Sequence, residues 1–364
     1  MKFIIMAGGT GSKLWPISRE ATPKHFIPLV GKKTMFQLNV DALLERYSVY
    51  DIFVSTTDDL VHFVEEQAPM LPKENYIVEP RLNKDSGPAS CYAMAKVAAK
   101  YPDEVVNFYV QSPIIRTPID KYLDMLEGME VLVRKYNKFV TGTQIPRYVE
   151  TGSDLMKLSD RVESINGLEV YNVTEWYNVV KDRMSIEQVR EISNNNKIGT
   201  HCNHGTWTPK AFFEAIEKYR PDWNQVTNEL KAIFGSEDEQ QKINEIYAKF
   251  EPGRIELVTS QLIEAGQYQA VVVPYKWSHI TTWDDIYRYY QEVGIDTHQT
   301  DVIEIQKNGN LVLSLNKKVI ALVGIENMIV IDMEDALLIC PRDQANKVKE
   351  VNDILKTRGY KELL

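Results

Sequence analysis

The first residues whose types and spacing suggest chemistry lie at the N-terminus. Ala7–Gly8–Gly9–Thr10–Gly11–Ser12–Lys13 follows a short apolar run, and a second lysine, Lys24, stands in Pro23–Lys24–His25–Phe26. Glycines at a strand end let backbone N–H groups approach an anion, and a cation just beyond suits phosphate. The loop fails two well-known templates. Leu14 stands where a dinucleotide fingerprint has its third glycine, and the spacing before Lys13 is too short for a Walker A loop. Two readings stay open: a phosphate-holding turn, or a turn whose glycines serve positive φ alone.

The elements that must position this loop alternate. Strands are expected at Lys2 to Met6, Asp51 to Thr56, Asn75 to Val78, Val105 to Val110 and Phe139 to Gln144. Between them fall helical patterns: one opened by the capping box Thr34 to Gln37, one capped by Asp58 or Asp59, then Pro88 to Ala99 and Pro118 to Lys135. This alternation predicts an α/β fold with a mostly parallel, Rossmann-like sheet, whose ligands sit at the carboxyl ends of the strands. The glycine loop, Gln111 to Arg116 and the loop after Val78 then share one rim. Further on, Leu168 to Trp176 and Tyr268 to Val273 read as strands. Ser185 to Gln188 is a second capping box, and Pro209 to Tyr219, Glu237 to Phe250 and Trp283 to Val293 read as helices.

The tail changes character. VIEI, LVLSL, KVIALVGI, MIVIDM and ALLIC are short β-branched runs, with a turn at Asn308–Gly309–Asn310 and a closing helix from about Arg342 to Thr357. The boundary falls within Gly294 to Gln299, giving residues 1–295 as one domain and 296–364 as a small all-β domain with a terminal helix.

A formal charge of −9 argues against a general nucleic-acid binder, yet leaves room for a local basic pocket. Cys91, Cys202 and Cys340 are odd in number and far apart, so reduced thiols and a cytoplasmic setting are expected. No apolar run reaches membrane-spanning length.

The stretch GGTGSKLWPISREATPKHF closely resembles the signature of the sugar-1-phosphate nucleotidyltransferases. Leu14–Trp15–Pro16 and Pro23–Lys24–His25–Phe26 point to the mannose-1-phosphate guanylyltransferases, or GDP-mannose pyrophosphorylases. Residues 79–89, EPRLNKDSGPA, resemble that family's loop near the nucleotide. Trp277–Ser278 and Trp283–Asp284 resemble its late metal-site motif, and the tail is similar to its C-terminal domain. The resemblance implies a GT-A-like nucleotidyltransferase domain and a left-handed β-helix-like tail. It implies GTP and mannose 1-phosphate as substrates, GDP-mannose and pyrophosphate as products, and Mg²⁺ between phosphates. Lys13 and Lys24 would serve phosphate charge. Ala7, Gly8, Gly9, Thr10, Gly11, Ser12, Glu79, Asn83 and Ser86 would hold the nucleotide, and Asn203 the sugar. A homo-oligomer, or partnership with an active paralogue, would fit; nucleic acid and membrane would not.

Four positions depart from the family pattern. Lys13 stands where arginine is usual, which keeps charge but loses the planar fork. Pro113 falls where one metal-binding aspartate belongs. His279 replaces the other, in WSHITTW where the family has WSDVGSW or WTDIGTW, and Mg²⁺ favours carboxylate oxygen. The Glu-Lys-Pro sugar-phosphate motif is expected after Trp176, and Tyr177–Asn178–Val179–Val180 stands there instead, with no lysine before Lys181. Asp120, Asp284 and Asp285 are the acids able to substitute, although Asp284 and Asp285 also suit a helix cap. Together these departures lead to an expectation of weakened catalysis, or of an inactive paralogue that binds nucleotide or nucleotide sugar and regulates a partner. His201–Cys202–Asn203–His204 has no second ligand pair at zinc spacing. The aromatics Trp283, Tyr287, Tyr289 and Tyr290 fit helix packing or a subunit contact.

Overall fold

The computed structural model of the 364-residue chain describes residues 1–8, 12–109, 114–146, 149, 153–305, 309–316 and 318–364. Its contacts divide into two compact units, each discontinuous in sequence. The first holds Met1–Ala7, Asp41–Gln111 and Arg116–Trp277; the second holds Gly8–Val40, Ser112–Ile115 and Ser278–Leu364. A division along the chain at residue 295 is the sequence expectation. The contacts group the segment after the first strand with the tail.

The first unit is built on one ten-stranded sheet. β1 (Lys2–Met6), β2 (Ile52–Thr57), β3 (Tyr76–Glu79) and β4 (Val106–Tyr109) run parallel in the order β4-β1-β2-β3, with Phe3 opposite Ile52 and Ile4 opposite Phe108. Both faces of β1 are covered, so its run Phe3–Ile4–Ile5 is fully apolar rather than alternating. This is the expected α/β sheet, and its crossovers are the helices Met35–Leu44, Val61–Gln67 and Ser86–Lys100. Gly87 allows the last of these to begin beneath Trp223, since a Cβ there would lie 2.0 Å from the indole ring.

The other half of the sheet is where the sequence pattern is least regular. After β5 (Ile114–Thr117) come β6 (Phe139–Gln144), β7 (Leu155–Ile165), β8 (Leu168–Tyr177), β9 (Ile198–His201), β10 (His204–Trp207), β11 (Tyr268–Val272) and β12 (Lys276–His279). β10 joins β4 and β6 antiparallel, β7 and β8 form an antiparallel ribbon, and β11 lies parallel to β6. β5 and β12 pair with each other in a separate two-stranded sheet.

Both expected capping boxes form. Thr34 and Gln37 exchange side-chain-to-backbone bonds of 3.0 and 3.1 Å, and Ser185 and Gln188 do the same. The expected aspartate cap near residue 58 does not form. Asp58–Leu60 is a 3₁₀ turn leading into Val61–Gln67, and Asp59 accepts instead from the Thr57 hydroxyl at 2.6 Å.

In the second unit the tail strands stack in parallel. β13 (His298–Gln299), β15 (Leu311–Ser314) and β17 (Met328–Asp332) form one ladder, and β14 (Val302–Ile305) with β16 (Ile320–Val323) forms another. Leu311 faces Ile329 and Val302 faces Ile320, so chain positions 18 residues apart stack in the manner of a β-helix. β18 (Leu337–Pro341) turns back antiparallel on β17. The closing helix begins as a 3₁₀ stretch, Arg342–Val348, and becomes α-helical over Lys349–Arg358. Leu14, Trp15, Ile27 and Met35 share one core with Trp283, Ile286, Leu311, Ile329, Val348 and Leu355. The indole of Trp15 donates to the Leu363 carbonyl at 2.9 Å, and that of Trp283 donates to the Trp15 carbonyl at 2.9 Å. Among the described residues no helix is long and apolar enough to cross a membrane.

Candidate active site

Two groups of the expected site residues lie in different units. In the second unit, the backbone leaves Gly8 and re-enters the described residues at the 3₁₀ turn Ser12–Leu14, which carries Lys13. Leu14 anchors that turn with no exposure at all. Lys24 sits on a second 3₁₀ turn, Lys24–Phe26, fixed by Phe26 packing edge-on to Phe36 at 5.3 Å. Between these turns the buried His25 ring reaches the Gly8 carbonyl, Nε2 to O 2.8 Å. Burial first, and then the Lys24 charge, holds the His25 pKa down at about 3, so the ring is neutral. A carbonyl only accepts, so Nε2 carries the proton and Nε2–H donates. His25 therefore ties the glycine loop to the lysine turn, a role the sequence reading did not assign.

The lysines are electrostatically coupled. Burial lowers the Lys13 pKa and the Lys349 charge lowers it further, while Asp285 opposes both. Lys24 is lowered to about 8, by burial first and then by Lys13, again against Asp285. Asp285 is the acidic member of a further capping box, in which Thr282 opens the helix Trp283–Val293. Its Oδ2 accepts from the Thr281 N–H at 3.0 Å, the Thr281 hydroxyl at 2.8 Å and the Thr282 N–H at 2.7 Å. The carboxylate thus supports a basic cluster while held as a cap.

These acids fit Mg²⁺ poorly. Asp284 accepts from Arg288 Nε and Arg342 Nε, both at 2.7 Å, and Asp285 has one oxygen committed to three donors. Asp120 stands exposed in the first turn of Ile119–Tyr136, where it complements the helix dipole. Among the described residues no group of three or more His, Cys, Asp or Glu side chains is placed to hold a metal ion. That includes the His201–His204 stretch, where Cys202 instead donates to the Thr200 carbonyl at 3.5 Å. Gly9, Thr10, Gly11 and Pro113 lie outside the described residues, as do the side chains of Ser12 and His279.

The first unit holds the remaining candidates. Glu79 ends β3, accepts a 2.7 Å bond from the Tyr247 hydroxyl, and is pushed up to about 7 by burial, a rise that the Tyr247 bond tempers. Asn83 and Asp85 have positive φ, +48° and +71°. Asp85 caps the helix at Ser86, accepting from its N–H at 2.7 Å, and the Ser86 oxygen accepts from Ile255 N–H at 3.0 Å. The turn is closed on the 247–255 segment from both sides: Gly87 N–H donates to Gly253 O at 2.8 Å, and Gly253 N–H donates to Lys84 O at 3.0 Å.

Asn203, at φ +51°, makes the turn from β9 to β10 and lines a small cleft of about 30 Å³ with Ser90, His201, Trp207 and Glu256. His201 is lowered to about 3 by burial and secondarily by Arg254, and Glu256 is raised chiefly by burial. Glu256 Oε2 and Trp207 Nε1 are buried there without a hydrogen-bond partner. Where the family's sugar-phosphate lysine is expected, Asn178 accepts from Arg254 Nη2 at 3.1 Å, and Val179 is fully buried. Arg254, which the sequence reading missed, also approaches Asp154 at 3.4 Å.

Residues 2–142 match the nucleotidyl transferase family, and residues 292–355 match the MannoseP isomerase/GMP-like beta-helix domain. Over nearly its whole length the chain is similar to proteins named mannose-1-phosphate guanylyltransferase. Mannose-1-phosphate guanylyltransferase 2 of Escherichia coli O157:H7 is 25% identical, over 99% of this chain and 74% of that protein. The alginate biosynthesis protein AlgA of Pseudomonas putida is 23% identical, over 99% of this chain and 72% of its own length. Among solved structures, mannose-1-phosphate geranyltransferase from Thermus thermophilus superposes with a TM-score of 0.78 at 20% identity, over 98% of this chain and 99% of that one; this likeness is one of fold.

Proposed function

We propose that the chain is a sugar-1-phosphate nucleotidyltransferase acting on mannose 1-phosphate and GTP, with low turnover when Mg²⁺ is the metal. The observation that carries this reading is the coupled pair Lys13 and Lys24, whose second turn His25 ties to Gly8. The sugar-phosphate oxygen attacks the α-phosphorus in line, and pyrophosphate leaves. The Lys13 and Lys24 ammonium groups neutralise charge on the departing phosphates. The cleft around Asn203 offers buried polar atoms such as Glu256 Oε2 to the hydroxyls of a polyol.

A specific observation favours a second reading, a binding protein without turnover. Asp284 and Asp285 are both committed to other donors, and Pro113 and His279 stand where the resemblance implies acids. The test is pyrophosphate release from GTP and mannose 1-phosphate with Mg²⁺, Mn²⁺ and Zn²⁺, in the wild type and in the Pro113→Asp/His279→Asp pair. Slow wild-type release that rises by about 10²-fold or more in the pair supports the enzyme reading with weakened metal chemistry. GTP binding without release in either protein favours the second reading. Wild-type release at roughly 1 s⁻¹ with Mg²⁺ removes the weakening.

A further inference from the structure

Lys349 opens the C-terminal α-helix Lys349–Arg358, directly after the 3₁₀ stretch Arg342–Val348. Both segments pack against the turn Ser12–Leu14 that carries Lys13. The packing is apolar: Leu14 shares a core with Ala345, Val348 and Leu355, all buried. Lys349 itself is exposed. Among the described residues neither it, Lys13 nor Lys24 has a carboxylate within ion-pair distance, while Lys356, two turns further along the same helix, pairs with Glu20 at 3.0 Å. Like charges held together by packing raise the energy of the folded chain unless an anion joins them. Asp285 is the acid that acts on Lys13 and Lys24 alike, and the cap holds it in place.

We infer that Lys349, carried by the C-terminal module, is a third cation of the Lys13–Lys24 phosphate site and binds the distal phosphates of a di- or triphosphate. The sequence reading placed no site residue in the tail. The assignment rests on the nucleotidyltransferase reading for the identity of its ligand, and its chemistry is that of a polyphosphate anion. Three ammonium groups suit pyrophosphate or a triphosphate chain better than orthophosphate, because more anionic charge is spread over a longer span.

The probe is inorganic pyrophosphate, titrated calorimetrically into the full-length wild type, Lys349→Ala, Lys349→Arg and Lys13→Ala at fixed ionic strength, with orthophosphate in parallel. Lys349→Ala is expected to weaken pyrophosphate binding about fivefold, with Lys349→Arg restoring most of it. Orthophosphate affinity should change less. Without ligand, Lys349→Ala should melt at or above the wild-type temperature, because a repulsion is relieved; a structural role for the side chain would lower it. Unchanged pyrophosphate binding in Lys349→Ala alongside loss in Lys13→Ala overturns this assignment and leaves the functional reading standing. No pyrophosphate or GTP binding by the wild type at millimolar concentration overturns both.

Discussion

Among the described residues, three lysines of the second unit stand without a carboxylate in ion-pair distance, whereas around the first unit's cleft burial works against charge, discharging His201 and raising the Glu256 pKa. His201 titrates near 3, so its ring is uncharged at any working pH, and burial raises Glu256 and Glu79. Desolvation acts on both regions, yet with opposite outcomes for charge. A lysine starts so far above neutrality that Lys24, even lowered to about 8, is still mostly an ammonium at pH 7. A histidine starts close enough for the same penalty to discharge it, and a buried glutamate is raised toward neutrality. Among the described residues the two regions therefore differ in charge: unpaired cations in the second unit, and in the first unit a discharged histidine and carboxyls whose pKa burial raises.

The largest effect expected from breaking this comparison is on the second unit. Ending the chain at Gln299 removes Leu311, Ile329, Ile331, Leu338, Val348 and Leu355 from the core that seats Leu14 and Trp15. It also removes the Leu363 carbonyl from Trp15 and Asp335 from its paired bonds with Arg19. The truncated chain should be insoluble or melt on the order of 10 °C lower, with pyrophosphate binding lost. The first unit's ten-stranded sheet should retain its far-ultraviolet signal in whatever remains soluble. A soluble truncated chain with wild-type melting and pyrophosphate affinity would show that the phosphate turn stands without its C-terminal cover.

What was legible in the sequence divides along the same line. Strong local signals worked: the glycine loop, the capping boxes at Thr34 and Ser185, the β-branched tail runs and the motif around Lys24. The antiparallel strands β7, β9 and β10 were missed because their residues follow no clean alternation; Ile198–His201 is only four residues long and turns at Asn203 into the next strand. The grouping of Gly8–Val40 with the tail was not legible either. It rests on contacts such as Trp15 with Leu363, 348 positions apart, which no local pattern encodes. The resemblance named Lys13 and Lys24, but not His25, whose bond to Gly8 depends on two turns meeting. Nor did it reach Arg254, Glu256 or Lys349, which belong to no motif.

A smaller effect sharpens the charged side. Lys24 titrates near 8 folded against 10.5 unfolded, so between those values the unfolded chain binds more protons and the free protein gains stability as pH rises. Pyrophosphate binding should move the other way, weakening from pH 7 to pH 9.5 by about tenfold as the ammonium is lost, since a full pKa unit corresponds to a tenfold change. Lys24→Arg keeps its charge throughout and should flatten both curves. Melting and calorimetric titration at matched ionic strength give the two slopes. Slopes of the same sign in the wild type would mean that Lys24 does not face the anion.

The smallest expected effect concerns the neutral side. Glu79 titrates near 7 folded against 4.5 for the free side chain, so the folded chain holds this proton more tightly. The stability this brings is full below 4.5 and is lost as pH rises through 7, amounting to at most about 3 kcal/mol. Glu79→Gln keeps an uncharged group that can accept the 2.7 Å bond from Tyr247 and cannot ionise. The variant should melt close to the wild type at pH 5 and above it at pH 8, with the gap opening across that interval. Tyr247→Phe should act in the opposite sense, because the bond it removes lowers the Glu79 pKa and holds the carboxylate when it forms. Nucleotide binding by Glu79→Gln then separates two roles that the sequence resemblance merged. If the carboxyl contacts the nucleotide, GTP affinity falls in the variant even at pH 8, where the fold is strengthened. If Glu79 serves only to lock β3 onto Tyr247, affinity holds while melting shifts. A melting gap that stays constant from pH 5 to pH 8 would mean that Glu79 is ionised throughout and stands as a buried carboxylate.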